Sequence, residues 1–369
     1  MNVPLLDVNA QNHPIGDELR EAFERVLESG RFIMGDDVGS FEKEIREYLD
    51  VKYAIGVSSG TDAILLALMA LGIGPGDEVI CPSFTFFATA GCIARTGATP
   101  VFCDCHPDTF NIDFASADEC VSEKTKAIIP VHLFGQSVDM HACHAFAEKY
   151  DLKVIEDTAQ SLGARFHGKA CGTMGDFGTY SFFPSKNLGG LGDGGLLVTQ
   201  DEDLADAAIK LRNHGMHPRY YHEMIGGNFR LDSIQAAFLR VKLVHYGDYI
   251  HRRQKNAAYY QENLNNLSQI IVPLGQDGYE HIWNQFTLRV KDGRRDGLKS
   301  HLIESGIGCE IYYPVPMHQQ ACFAHLSESC RTSLEVTDEL AQEVLSIPVY
   351  PEMSQNQQDQ VISAIQSFS

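Results

Sequence analysis

Hydrophobic residues recur along the chain with two different spacings, and each spacing predicts one kind of element. A spacing of three or four residues predicts amphipathic helices over residues 16–30, 41–49, 62–71, 84–94 and 139–150. Short apolar runs bounded by turn residues predict buried strands over residues 53–57, 79–81, 100–103, 126–131, 152–157, 180–183 and 196–199. Strands that alternate with helices are typical of an α/β fold with a mostly parallel sheet.

The pattern changes after a long predicted helix over residues 232–253. Beyond it, strands are predicted at 286–290 and 308–313, with a helix over 297–305 between them. A chain of 369 residues is also too long for one ordinary core. We therefore predict a large domain over residues 13–249 and a smaller C-terminal α/β domain over residues 250–369, joined by residues 1–12.

Polar residues that can do chemistry follow several of the predicted strands. In a parallel sheet, ligands bind at the carboxyl ends of the strands. Ser58 and Ser59 end one strand, and Gly60 and Thr61 then lead into a helix. The free N–H groups and the dipole of such a helix can hold an anion. An ordinary serine N-cap explains the same turn equally well.

The stretch 177–198 holds one lysine, Lys186, between an aromatic strand and a glycine-rich segment. Pro184 ends the strand because proline has no N–H to donate. The glycines of 189–195 allow a sharp turn and close packing against the backbone. Lys186 is either a solvated hairpin lysine or a desolvated amine with a lowered pKa, ready to form a Schiff base.

Charge and composition exclude several classes of function. Lys and Arg number 29 against 49 Asp and Glu, so the net charge of −20 argues against nucleic acid as a partner. The longest apolar run, 63–74, is too short to cross a bilayer, and residues 1–19 lack the features of a signal peptide. The ten cysteines then indicate reduced thiols, so we expect a cytoplasmic protein without a membrane partner.

No metal site is expected. The Cys103–His106 and His141–His144 segments do not have the spacing of common zinc sites. Three other features do converge: an anion site at Gly60 and Thr61, Asp157 at the end of a buried strand, and Lys186. Together they meet the needs of pyridoxal 5′-phosphate (PLP), because the phosphate, the pyridine nitrogen and the aldehyde each find a partner.

The sequence resembles the DegT/DnrJ/EryC1/StrS family of PLP-dependent nucleotide-sugar aminotransferases over nearly its whole length. The motifs that carry the resemblance are residues 59–63 (SGTDA), 82–89 (PSFTFFAT), 156–161 (EDTAQS), 181–186 (SFFPSK), 192–195 (GDGG) and 227–232 (GNFRLD). The resemblance implies the PLP aminotransferase fold of type I. One subgroup of the family has histidine in place of the lysine and dehydrates sugars, so Lys186 favours transamination.

The resemblance also implies a role for particular residues. Lys186 would form the Schiff base and carry the proton, and Asp157 would pair with the pyridine nitrogen. The remaining cofactor-binding residues would be Gly60, Thr61 and Ser181 at the phosphate, Phe86 on the ring face, Gln160 at the ring hydroxyl, and Asn228 from the neighbouring subunit of a homodimer with shared sites. Each of three residues also has a purely structural alternative: Phe86 could belong to a helix core, Ser181 could be a hydroxyl at a strand edge, and Asn228 could form a turn.

The expected reaction moves an amino group, most often from glutamate in this family, onto a nucleotide-linked keto-sugar by way of pyridoxamine phosphate (PMP). Segments 181–186, 192–195 and 219–222 look closest to the branch acting on UDP-3-keto sugars, which serves surface polysaccharides such as lipopolysaccharide. Arg230, Tyr313 and His318 are the expected substrate-binding residues. Tyr312 stands where the uronate enzymes tend to have histidine, so a 4-keto-6-deoxy sugar on UDP, dTDP or GDP is an alternative. A second alternative is a protein with the PLP-enzyme fold that is inactive and acts as a regulator or binding protein.

Overall fold

A computed structural model describes residues 3–329 and 331–368. The α-helices are α1 (Val8–Asn12), α2 (Gly16–Ser29), α3 (Asp36–Leu49), α4 (Gly60–Ala70), α5 (Phe87–Arg95), α6 (Phe114–Glu119), α7 (Met140–Tyr150), α8 (Glu202–Arg212), α9 (Ser233–Leu264), α10 (Arg295–Glu304), α11 (Glu335–Glu343) and α12 (Gln355–Phe368). The strands are β1 (Tyr53–Val57), β2 (Glu78–Pro82), β3 (Thr99–Cys103), β4 (Thr125–Ile128), β5 (Lys153–Asp157), β6 (Arg165–Phe166), β7 (Lys169–Ala170), β8 (Phe177–Ser181), β9 (Gly195–Thr199), β10 (Ile270–Ile271), β11 (Tyr279–Glu280), β12 (Phe286–Val290) and β13 (Val344–Ile347).

Seven strands form the main sheet in the order β1-β9-β8-β5-β4-β2-β3. Only β9 pairs antiparallel with its neighbours β1 and β8, and the remaining pairs are parallel. The strands are buried almost throughout because helices cover both faces, as parallel sheets require. This arrangement confirms the predicted α/β fold with a mostly parallel sheet.

A second antiparallel sheet, β10-β12-β13, belongs to a separate hydrophobic core. That core gathers Val3 together with side chains from Ala257 to Ile365. The predicted boundary between residues 249 and 250 lies inside the 32-residue helix α9, whose later turns pack on the second core. The division into two domains at that residue stays a prediction.

Several predicted elements differ from the structure at their ends. The helix predicted over 84–94 begins at Phe87, with Phe86 as its N-cap, so Phe84 and Phe86 precede it. The strand predicted over 180–183 is β8, which ends at Ser181; Phe182 is buried and Phe183 is 53% exposed. The strand thus ends two residues earlier than predicted.

One predicted strand is wrong. Residues 308–313 form only a bridge through Glu310 to Ser346, and β13 takes the place beside β12. The sequence predicts no strand at 344–347, because this short apolar run directly follows α11 and no turn residue marks its start. Among the described helices, none is long and apolar enough to cross a membrane.

Candidate active site

The carboxyl ends of the parallel strands meet at one edge of the main sheet, where a cavity of about 410 Å³ opens. β5 ends there at Asp157 and β8 at Ser181, while β1 leads through Ser58 and Ser59 into α4. The cavity is lined by eight residues that were predicted from the sequence: Gly60, Thr61, Phe86, Asp157, Gln160, Ser181, Lys186 and Tyr313. The parallel topology thus brings together residues that lie far apart in sequence.

Lys186 lies on the loop that follows β8. Its backbone N–H donates to the carbonyl of Phe183 at 2.8 Å, which closes a turn around Pro184. Burial lowers the pKa of the Lys186 amine to about 8, and the charge of Asp157 opposes this shift. An amine with this pKa is partly unprotonated near neutral pH, as a nucleophilic lysine must be. The desolvated-amine interpretation of Lys186 is therefore the one that the structure supports.

Asp157 faces the same cavity from the end of β5. Its Oδ2 accepts a hydrogen bond from Thr89 Oγ1 at 2.8 Å, and its Oδ1 accepts one from the Ala159 N–H at 3.2 Å. Burial raises the pKa of Asp157, while these two hydrogen bonds and the positive charge of Lys186 oppose the shift. A cationic ring nitrogen placed against this carboxylate would favour its charged form further.

Behind Asp157, Glu156 and His132 form a fully buried pair. His132 Nδ1 accepts a hydrogen bond from the Val138 N–H at 2.9 Å, so the ring proton lies on Nε2 and is donated to Glu156 Oε2 at 2.9 Å. The backbone N–H groups of Gly172, Met174 and Gly175 also donate to the Glu156 carboxylate. Burial alone would raise the pKa of Glu156, but these donors lower it overall.

The turn between β1 and α4 carries both features expected of it. Ser59 is the N-cap of α4 and accepts a hydrogen bond from the Asp62 N–H at 3.0 Å. In the described part of the chain, the N–H groups of Gly60 and Thr61 have no hydrogen-bond acceptor. A Cβ at Gly60 would lie 2.7 Å from that of Ser181, so the glycine lets Ser181 reach the helix N-terminus. These groups form an anion cradle beside Lys186.

Three further side chains complete the cavity wall. Phe86 is 56% exposed, so it is not helix core, and its ring centroid lies 6.2 Å from that of Tyr313. Gln160 Oε1 accepts a hydrogen bond from the Phe134 N–H at 2.7 Å, and Nε2 donates to the Tyr313 hydroxyl at 3.1 Å. This orientation leaves the second N–H of the Gln160 amide able to donate to a ligand oxygen.

Asn228 and Arg230 line a second cavity of about 630 Å³, which shares Ser59, Thr61 and Asp193 with the first. Asn228 forms a β-bridge with Asn213, and Arg230 Nη1 donates to Asn213 Oδ1 at 2.6 Å. The buried Nε of Arg230 has no partner among the described residues. The cofactor role of Asn228 and the substrate role of Arg230 stay predictions.

His318 lines neither of these two cavities, and its substrate-binding role stays a prediction. Its Nδ1 lies 2.7 Å from Ser83 Oγ, and its Nε2 lies 3.2 Å from Asp338. The neighbouring Met317 is buried in the core, and its N–H donates to the Ser83 carbonyl. The imidazole ring of His318 thus lies between Ser83 and Asp338.

Sequence reasoning assigned no role to several lining residues. Thr85 and Ser185 lie within the quoted motifs, and Tyr312 precedes Tyr313, so their positions were a usable signal. Asn284 and Gln285 come from the segment between β11 and β12, and no motif marks them. Within residues 3–329 and 331–368, no group of three His, Cys, Asp or Glu side chains could hold a metal ion.

Comparison with known proteins adds to this geometry. The sequence profile of the DegT/DnrJ/EryC1/StrS aminotransferase family matches residues 13–366. A pleiotropic regulatory protein of Geobacillus stearothermophilus is 46% identical, covering 100% of this chain and 99% of that protein. A UDP-N-acetyl-3-dehydro-alpha-D-glucosamine 3-aminotransferase of Acidithiobacillus ferrooxidans is 42% identical, covering 98% of this chain and 97% of that protein.

A crystal structure of NtdA from Bacillus subtilis with bound cofactor PMP has a TM-score of 0.93 at 32% identity, covering 100% of this chain and 85% of that one. The fold, the site and these similarities define a PLP-dependent aminotransferase of fold type I. The chain belongs to the DegT/DnrJ/EryC1/StrS aminotransferase family. The predicted family, fold class and cofactor are thereby confirmed.

The residues that line the cavity fit the chemistry of PLP. Among the described residues, the N–H groups of Gly60 and Thr61 have no acceptor, and they would hold the phosphate together with Ser181. The Lys186 amine and the Asp157 carboxylate face the same cavity. Phe86 leaves its ring exposed at that cavity, where it would cover the pyridine face.

Proposed function

We propose that this enzyme moves an amino group from L-glutamate to the 3-keto group of a UDP-linked sugar, in the cytoplasm, for amino-sugar or surface polysaccharide synthesis such as that of lipopolysaccharide. The single observation that carries its chemistry is the placement of Lys186, with its lowered pKa, in one cavity with Asp157. The choice of sugar rests on the Acidithiobacillus relative, which is named for a UDP-linked 3-dehydro sugar.

Bound PLP supplies an aldehyde that takes up the amino group and a ring that delocalises the electrons released when a C–H proton leaves. Lys186 Nζ would carry that proton, because it is the one amine among the described residues that line the cavity. The Asp157 carboxylate would accept a hydrogen bond from the ring nitrogen and favour its protonated form. Gln160 would donate its free N–H to the ring oxygen, and Gly60, Thr61 and Ser181 would hold the phosphate.

Two residues are proposed to contact the sugar or the donor. Tyr313 lines the cavity, and its hydroxyl is fixed by Gln160. Arg230 would supply a positive charge for a carboxylate, and its unpartnered Nε supports that role. Tyr312, which also lines the cavity, offers a neutral hydroxyl where a uronate enzyme tends to have histidine. A UDP-3-keto sugar without a carboxylate therefore fits better than a 3-oxo-glucuronate.

The decisive experiment measures amine transfer from glutamate to a panel of UDP-, dTDP- and GDP-linked 3-keto and 4-keto sugars. We expect the fastest transfer to a UDP-3-keto sugar. Faster transfer to 4-keto-6-deoxy sugars would replace the proposed substrate with the alternative one, and equal inactivity on every sugar would remove the sugar assignment altogether.

Lys186→Ala tests the chemistry itself. The variant is expected to lose both transfer and the adduct that borohydride reduces onto the protein, since the nucleophilic amine is gone. Lys255→Met, on the exposed face of α9, is the matched control and should retain both. A wild-type protein that takes up no PLP and stays colourless would instead favour a regulator, the activity that the name of the Geobacillus relative describes.

We further propose a homodimer in which each subunit completes the site of the other. Three large apolar side chains that line the two cavities, Phe86, Phe183 and Ile33, are exposed in the single chain. Exposed apolar surface beside a binding site is typical of an interface. Sedimentation of the wild type should give a dimer, and Asn228→Ala should weaken PLP retention. A fully active monomer would contradict the shared site.

A cytoplasmic location is supported by the thiols. Cys81, Cys103 and Cys143 are buried and free, which suits a reducing compartment.

A further inference from the structure

The carboxylate of Asp157 is held by a short chain of buried hydroxyl groups that the reaction itself does not use. Thr89 lies in the first turn of α5 and is fully buried, and Thr85 lies four residues earlier, before the helix begins, and is 1% exposed. Thr89 Oγ1 lies 2.8 Å from Asp157 Oδ2, and Thr85 Oγ1 lies 3.1 Å from Thr89 Oγ1. Thr85 also lines the cavity. The three groups therefore connect the cavity wall to Asp157.

The direction of these hydrogen bonds follows from proton counting. An ionised carboxylate has no proton, so the Thr89 hydroxyl must donate to Asp157. A hydroxyl has one proton, so Thr89 Oγ1 can only accept in its contact with Thr85. Thr85 is then the donor in that contact. Both hydroxyl protons point toward the carboxylate, and together they favour its charged form.

The second oxygen of the carboxylate has a donor of its own. Asp157 Oδ1 accepts a hydrogen bond from the Ala159 N–H at 3.2 Å. Each carboxylate oxygen thus has one fixed donor, from two different segments of the chain. Rotation of the carboxylate would break both hydrogen bonds at once, which is costly in a buried site.

We propose that Thr89 is a positioning residue, which acts through Asp157 by fixing the plane and the charge of its carboxylate, and that Thr85 fixes the direction of the Thr89 hydroxyl. This inference rests on the proposed role of Asp157 opposite the ring nitrogen. Neither threonine is assigned a part in the chemistry; they determine where the carboxylate stands.

Other titratable groups also face Asp157 from the elements around it, and they must be held constant in a test. These groups are Lys186, the buried His132, Cys81, Cys92 and Tyr313. None of these groups is altered by a change at Thr89.

The first variant is Thr89→Val, which keeps the shape of the side chain and removes the hydroxyl. We expect PLP to dissociate about tenfold more easily or worse, because a hydrogen bond to a charged group is lost. The rate of turnover should fall by a similar factor with little change in KM. Thr89→Ser should restore both, because it returns the hydroxyl. Thr96→Val, at the other end of α5, is the matched control and should leave PLP binding unchanged.

A second measurement uses the cofactor-free protein and does not depend on turnover. The Asp157 carboxyl is assigned in a ¹³C NMR spectrum by its absence in Asp157→Asn, and its titration is followed. In Thr89→Val, burial is less opposed, so the pKa of Asp157 should rise above the wild-type value; in Thr89→Ser it should not. Thr85→Val should shift it in the same direction by less.

An unchanged titration in Thr89→Val, together with unchanged PLP binding, would overturn the proposal. A larger effect of Thr85→Val than of Thr89→Val would also overturn it, because Thr85 acts only through Thr89. If Thr89→Val fails to fold, the Thr85→Val and Thr89→Ser pair decides the question. Loss of the proposed function would appear in Lys186→Ala, whereas the titration of Asp157 in the cofactor-free protein tests the threonine chain alone.

Discussion

Asp157 and Lys186 face each other across one cavity, yet the protein holds them in different ways. Asp157 ends β5, a central strand with β4 and β8 on its two sides. Its backbone N–H and carbonyl are both paired, with Pro130 and His132. Lys186 lies on a loop beyond the end of β8, where no neighbouring strand continues the ladder. The acid is fixed by the sheet itself, and the lysine needs support from elsewhere.

That support comes from side chains that lie far along the chain. Gln235 Oε1, on α9, accepts a hydrogen bond from the Leu191 N–H at 2.9 Å. Lys242 Nζ, two turns further along the same helix, donates to the Gly189 carbonyl at 2.8 Å. Asn284 Nδ2 donates to the side chain of Asn187, the residue directly after Lys186, at 3.0 Å. Substitutions in α9 or in residues 281–285 should therefore change the position of Lys186 more than that of Asp157.

The largest expected effect is on the Asp157 side, from Glu156→Gln. The new amide NH2 group would face the N–H donors of His132 or of the backbone, so buried donors would lose their acceptor. We therefore expect a loss of about 3–5 kcal/mol in the free energy of unfolding. Urea denaturation would measure it. Glu310→Gln, which removes the carboxylate paired with Lys299 nearer the surface, should cost about 1 kcal/mol or less. An equal cost for both variants would contradict the comparison.

The pH dependence sharpens the same test. Because the pKa of Glu156 is lowered in the folded protein, its contribution to stability is present above its unfolded pKa of about 4 and is lost as the pH falls below that value. The acid side of the stability curve should therefore be flatter in Glu156→Gln than in the wild type.

Lys242→Met probes the support of the lysine loop. Burial lowers the pKa of Lys242 to about 8, so the folded protein disfavours its charge, while the unfolded chain keeps the ordinary value. The unfolded chain thus binds more protons between about pH 8 and 10.5, and this lysine adds stability as the pH rises through that window. The wild type should gain about 3 kcal/mol relative to Lys242→Met over the window. An identical slope in both proteins would contradict this placement of Lys242.

Lys255→Met serves as the control for that experiment, because Lys255 lies exposed on the same helix. Its stability should follow the wild-type pH dependence. Both measurements are made on cofactor-free protein, so that the free Lys186 amine contributes equally in each.

The smallest effect is expected from Asn187→Ala. The buried carbonyl of Ile282 and the amide of Asn284 would each lose a partner, at a cost of about 1–2 kcal/mol. The reaction of Lys186 with added PLP should slow, while the titration of Asp157 should stay unchanged. Asn263→Ala, which removes only a hydrogen bond to Tyr259 within α9, should change neither. A shifted Asp157 titration in Asn187→Ala would show that the supports of Asp157 and of Lys186 are not independent.

The parts that could be predicted from the sequence are those with local causes. The strand before Asp157 and the turn at Ser59 and Gly60 follow from side-chain period and capping. These features place Gly60, Thr61, Asp157, Ser181 and Lys186 at strand ends, and a parallel sheet brings strand ends together. The motif order then added Phe86 and Gln160, which also line the cavity.

The sequence by itself thus determined the α/β fold, the edge of the sheet that carries the site, and the acid–lysine pair. Only the tertiary structure decided which distant side chains support that pair. Thr89, Asn284 and Lys242 have ordinary local surroundings, and their contacts depend on how α5, α9 and residues 281–285 pack. The contact of His318 with Ser83, 235 residues away in sequence, likewise depends on packing. Local spacing fixes where an element begins and ends, whereas packing between elements fixes which side chains meet.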